Sequence, residues 1–123
     1  MDSTLDLLLK SETPNPPEKQ IKLKRLSEIC GGDVIFTMKA LTYSRVVEIK
    51  DTHSGDDMEV YILLAGVSSP DLKAKELLEK YKAATPAELV KNMLLPGEIT
   101  DISREVEILS GYRISTVEEI KKK

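Results

Sequence analysis

The chain has 123 residues, of which 41% are apolar and 32% charged, the balance of one globular domain with a single core. A net charge of −3 argues against a nucleic-acid-binding surface, which needs a basic patch or stripe. The one cysteine, Cys30, excludes an intrachain disulfide and a thiolate zinc site, and with one Phe and no Trp the core must be built from Leu, Ile and Val.

Residues 3–10 form a short amphipathic patch. Ser3 or Thr4 can cap it, and Leu5, Leu8 and Leu9 share one helical face. Thr13-Pro14-Asn15-Pro16-Pro17 follows, and its three prolines impose an extended linker. The expected organisation is a helical segment and linker over residues 1–18, tethered to a single α+β domain over residues 19–123. Residues 19–26 alternate Ile21 and Leu23 against Lys22 and Lys24. Residues 33–41 alternate Val34, Phe36 and Met38 against Ile35, Thr37 and Lys39. Period two marks half-buried strands, so a β-hairpin is expected, turning through Ser27 to Asp33. The basic cluster Lys19, Lys22, Lys24 and Arg25 reads as a solvated strand face.

Thr42 is placed to cap a helix carrying Tyr43, Val46, Val47 and Lys50, which ends near His53. Met58 to Ala65 is apolar nearly all round, and periodicity does not separate helix from strand there. The acidic pair Asp56-Asp57 before it favours helix. Ser68-Ser69-Pro70-Asp71 reads as a turn and residues 72–82 as a helix. Thr85-Pro86-Ala87-Glu88 is a capped helix start, with Leu89, Val90, Met93 and Leu94 as the buried stripe. Pro96-Gly97 breaks that helix, and Leu95, before a proline, is pushed out of the α region. The next helix is expected from Glu98, with Ile99, Ile102, Val106 and Leu109 as a short a/d seam. Gly111 should end it in a Schellman-type turn, with Tyr112 folding back onto Val106. A second capping box at Thr116-Val117-Glu118-Glu119 predicts a terminal helix closed by three lysines. The fold class is therefore α+β: an N-terminal β-hairpin followed by a mainly helical C-terminal two-thirds.

No constellation of residues points to catalysis. His53 is the single histidine and reads as a solvated loop residue. Cys30 lies far from it in sequence. Gly31-Gly32 lacks the lysine and spacing of a phosphate loop, and no calcium-loop spacing occurs. The reading is a non-enzymatic protein with no cofactor and no metal. The N-terminus has no basic signal region, and the longest apolar run, Val60 to Val67, is too short for a membrane span. The expectation is a soluble, intracellular chain that contacts neither membrane nor nucleic acid. The candidate protein-binding site is the corner Leu94, Leu95, Pro96, Gly97, Glu98 and Ile99, where apolar residues flank a rigid turn.

Three stretches of this half resemble a known family: Thr85-Pro86-Ala87-Glu88-Leu89-Val90, Leu94 to Ile99, and Leu109-Ser110-Gly111-Tyr112. With Ile21 to Leu26 and Phe36 to Leu41 ahead of them, they are similar to the XkdN-like tail assembly chaperones of long-tailed bacteriophages and prophages. The resemblance implies a chaperone that coats the tape measure protein, helps recruit tail tube subunits and is absent from the finished virion. It implies action in the cytoplasm of the bacterial host, with the tape measure and tail tube proteins as partners and self-association as a further possibility. The alternatives are a small DNA-binding regulator, with residues 86–109 as a helix-turn-helix, and a structural tail component. An acidic second helix speaks against the regulator.

Overall fold

The computed structural model of the chain describes residues 3–121. Helix α1 (Thr4–Lys10) opens with a capping box in which Ser3 and Asp6 accept from each other's backbone N–H. None of its residues is buried. Residues 11–17 form neither helix nor strand, as the prolines dictate. The leucine patch therefore stands off the core on an extended tether.

The alternating segments do form two paired strands, but the first is shorter than its pattern. β1 (Glu18–Lys22) pairs antiparallel with β2 (Ile35–Lys39), with Ile21 opposite Phe36. The connection is not a bare turn. It contains helix α2 (Lys24–Cys30), closed by Gly31 in the left-handed region at φ +72°. Leu23 fits the strand alternation, yet Leu26 follows at helical spacing and both are buried. A two-residue period over so few residues does not distinguish a strand from the start of a helix. A third strand, β3 (Val67–Ser69), lies where the pattern predicts a turn. The sheet order is β1-β2-β3, antiparallel throughout.

The helices follow in chain order. α3 (Tyr43–Thr52) begins at Thr42, whose Oγ1 accepts from the N–H of Arg45 at 3.2 Å. Its inward face is Ile49 with half-buried Val46, whereas Tyr43 is exposed. α4 (Asp56–Gly66) resolves the ambiguous apolar run as helix, with three acidic residues in its first turn. α5 (Lys75–Lys80) is shorter than the predicted 72–82, because Leu72 is buried from a preceding turn. α6 (Pro86–Met93) and α7 (Pro96–Leu109) bury the predicted stripes, including Leu89, Val90, Ile102 and Val106. Gly111 at φ +94° ends α7, and the N–H of Tyr112 donates to the carbonyl of Glu107 at 2.9 Å. Residues 115–121 form no helix, contrary to the capping-box expectation; Lys122 and Lys123 lie outside the described residues. A cap alone does not hold a few residues helical, and Val117 and Ile120 find nothing to pack against. The architecture is α+β as expected, with the helices concentrated after the sheet's first two strands.

One close approach joins α4 and α7. A Cβ placed on Gly66 would lie 2.5 Å from both γ-carbons of Val106. Gly66 is the last residue of α4, and the next residue starts β3. Gly66→Ala should therefore force α4 and α7 apart, costing about 1–3 kcal/mol in urea unfolding. The Gly66→Ala, Val106→Ala double variant should lose less than the sum of the two single losses. Additive losses would show that the two sites do not meet.

Ser103 offers a second test. It is fully buried on α7, and its Oγ has no hydrogen-bond partner among the described residues. Ser103→Ala removes that unsatisfied hydroxyl and improves helix propensity, so stability should rise by roughly 1 kcal/mol. A loss of stability on urea unfolding would contradict this.

Candidate functional site

The corner between α6 and α7 is built from its termini. Leu94 caps the end of α6 in extended conformation. Leu95 is extended too, at φ −73° and ψ 153°, as its proline neighbour requires. The second helix starts at Pro96, two residues before the predicted Glu98. Proline is suited to that first position because its missing N–H would have no helical partner there, and its φ is already helical. Glu98 becomes the third residue of the helix, and its Oε1 accepts from the N–H of Leu95 at 2.7 Å. This is half of a capping box, and leucine has no acceptor to supply the other half.

The structure divides the six predicted site residues. Leu94 and Ile99 are buried in the core, and Glu98 is mostly covered. Leu95 is 52% exposed, and Pro96 and Gly97 are exposed beside it. The outward face of the corner is therefore Leu95-Pro96-Gly97.

What holds the corner was not legible in its own residues. Arg25, on α2, reaches across to it. Its Nη2 donates to Glu98 Oε1 at 2.8 Å and to the carbonyl of Met93 at 3.0 Å, while its Nε donates to Glu98 Oε2 at 3.2 Å. One guanidinium thus satisfies an end carbonyl of α6 and pairs with the first turn of α7. Arg25 does not belong to a solvated strand face. Of its predicted companions, Lys19 pairs with Glu105 and Lys22 with Asp33. The hydrogen bond from Arg25 holds the Glu98 carboxyl below its ordinary value; burial opposes this and the Leu95 N–H reinforces it. The same bond raises Arg25.

One groove flanks this corner and a second lies at the far end of α7. One, of about 400 Å³, lies between the corner and the start of α4, with Val60, Leu94, Pro96 and Ile99 against Asp56, Asp57 and Glu59. Its charges are partly engaged: Lys91 pairs with Asp57 at 3.2 Å, and Thr100 donates to Glu59 at 2.8 Å. The other, of about 130 Å³, is apolar and lies among α3, α4 and the C-terminal end of α7. Tyr112 lines it beside Ile49 and Ile62. His53 is not simply solvated: its ring stacks on Tyr61, centroids 3.5 Å apart. Among the described residues, no group of three or more His, Cys, Asp or Glu is placed to hold a metal, and no helix is long and apolar enough to cross a membrane. Helix α7, the recognition helix of the regulator alternative, turns Ile99, Ile102, Ser103 and Val106 into the core.

The lowered Glu98 value fixes the sign of a pH effect. Its contribution is complete above the ordinary glutamate value of about 4.3 and is lost as pH falls through its depressed folded value. Glu98→Gln should therefore lower the urea midpoint at neutral pH. The gap from the parent protein should close on acidification below that ordinary value. A gap that stays constant down to the acid limit would mean that the carboxylate charge is not what holds the corner.

Comparison with known proteins places this geometry in a family. The model of the phage XkdN-like tail assembly chaperone protein matches residues 5–122. The crystal structure of the protein yqbn, a structural genomics target, is similar at a TM-score of 0.70 and 27% identity, over 91% of this chain and 99% of that one. No curated protein matches significantly. With all but the first residue of α1, the sheet and the α6–α7 corner inside the matched span, the chain belongs to the XkdN-like family of phage tail assembly chaperones.

Proposed function

We propose that this chain binds the tape measure protein of its phage, keeps it soluble in the cytoplasm of the bacterial host, helps recruit tail tube subunits, and is not retained in the mature virion. Its work in this reading is binding, not bond chemistry. The observation that carries the reading, beside family membership, is apolar surface left uncovered on a highly charged chain. Four leucines of α1 are exposed, and Leu95 projects from a rigid corner. Each such side chain, once covered, contributes about 1.5–3 kcal/mol. A few of them hold a long apolar client while the charged remainder keeps the complex in solution. The corner residues Leu95, Pro96 and Gly97, on the support of Leu94, Glu98 and Ile99, form one contact in this reading.

The test is co-expression with the tape measure protein encoded by the same phage. The soluble fraction of that protein should rise several-fold with this chain present, and no rise would overturn the proposal. Leu95→Asp should preserve the circular dichroism spectrum and unfolding midpoint while reducing co-purification at least several-fold. Undiminished co-purification would remove the corner from the interface. Mass spectrometry of purified particles should not detect the chain, and a stoichiometric signal would favour a structural tail component.

A further inference from the structure

The apolar groove among α3, α4 and the end of α7 has no role in the reading above. Its walls are Leu41, Val46, Ile49, Met58, Ile62 and Tyr112, around about 130 Å³. Apolar cavities of comparable size accept a small hydrocarbon guest. We propose that this groove receives a leucine of helix α1 from a second copy of the chain, so that two copies exchange N-terminal arms.

Two observations choose that occupant. The first is the state of α1. Leu5, Leu7, Leu8 and Leu9 are 59–72% exposed, and a seven-residue helix is too short to persist without a surface to pack on. The second is the root of the tether. The N–H of Ala40 donates to the carbonyl of Pro17 at 2.9 Å, which fixes the end of the linker. The next residue, Leu41, is a wall of the groove, and its N–H donates to the Oγ of Ser110, which also lines it. The arm thus leaves the domain beside the groove. Residues 11–17 carry three prolines, and an extended linker of this kind advances about 3.1 Å per residue, roughly 20 Å in all. No residue of α1 lines the groove of its own chain, and a stiff tether of this length brings the helix within reach of one on a neighbour. A two-fold axis makes the exchange mutual and closed. The exchange covers the α1 leucines in the absence of a client and leaves Leu95 as the uncovered surface of the tape measure reading.

The experiment uses full-length chains carrying Cys30→Ser, so that only added thiols react. One preparation carries Leu9→Cys, the other Lys50→Cys. The two are mixed without any partner protein and treated with a short bismaleimide. A linked heterodimer is expected, and Leu8→Asp on the arm-bearing chain should reduce it at least tenfold while circular dichroism confirms that both chains fold. Analytical ultracentrifugation of the parent chain should show a concentration-dependent dimer that Leu8→Asp shifts to monomer. Absence of the heterodimer overturns the proposal. So does linkage that Leu8→Asp leaves unchanged, which would be adventitious. A single chain carrying both cysteines that links only within itself also overturns it, placing the arm on its own groove. An arm that protects Leu9→Cys from maleimide only when the tape measure protein is added overturns it too, and assigns α1 to that partner.

Discussion

The packing of Gly66 against Val106 governs how the two halves of the molecule meet. Helix α4 ends at Gly66, and the next residue already belongs to β3. The chain therefore has no loop in which to absorb a misplacement. If α4 stood a methyl group further from α7, β3 would be drawn off β2, where Val67 pairs with Met38. Met38 and Val106 are both fully buried. Gly66 thus sets how closely α4 lies against α7, and its junction with β3 ties that spacing to the sheet.

The corner between α6 and α7 depends on that arrangement at second hand. Once α7 is seated by Ile102 and Val106, its first turn is fixed, and Glu98 is presented to Arg25 from α2. Arg25 sits 73 residues earlier in the chain. It links the helix inside the hairpin connection to both helices of the corner. Leu94 and Ile99 are spent in the core, so only Leu95, Pro96 and Gly97 remain to face outward. The corner thus presents a small apolar surface on a turn held by the Arg25 hydrogen bonds.

Much of this was legible in the sequence because the signals are local. Thr42 and Thr85 announced their helices through the hydroxyl acceptor that each provides, and Gly111 announced the end of α7. The stripes of α6 and α7 followed from period alone. The misses share a cause. Helix α2 was hidden because Ile21 and Leu23 satisfy strand alternation while Leu23 and Leu26 satisfy helical spacing. β3 was hidden because a three-residue strand has no period to detect, and only its pairing with β2 defines it. The spacing placed Tyr43, Val46 and Val47 on α3 without naming its inward residue, which is Ile49, while Tyr43 is exposed. Of the candidate site, the turn and its flanking leucines could be read directly. The Arg25 clamp could not, because nothing near Arg25 distinguishes it from the lysines beside it.

The terminal segments bring the argument to what the fold does not need. Helix α1 contributes no buried residue, and Ile114, Val117 and Ile120 are exposed on the chain after α7. A domain selected only to fold would lose nothing by exchanging these for polar residues, and would gain solubility. Their apolar character therefore has its reason outside the core, in something that covers them. The family model spans residues 5–122 and so takes in both segments along with the folded middle. A centre fixed by Gly66 and Arg25, combined with apolar segments that its own core leaves uncovered, is what the proposed holding of a client chain requires.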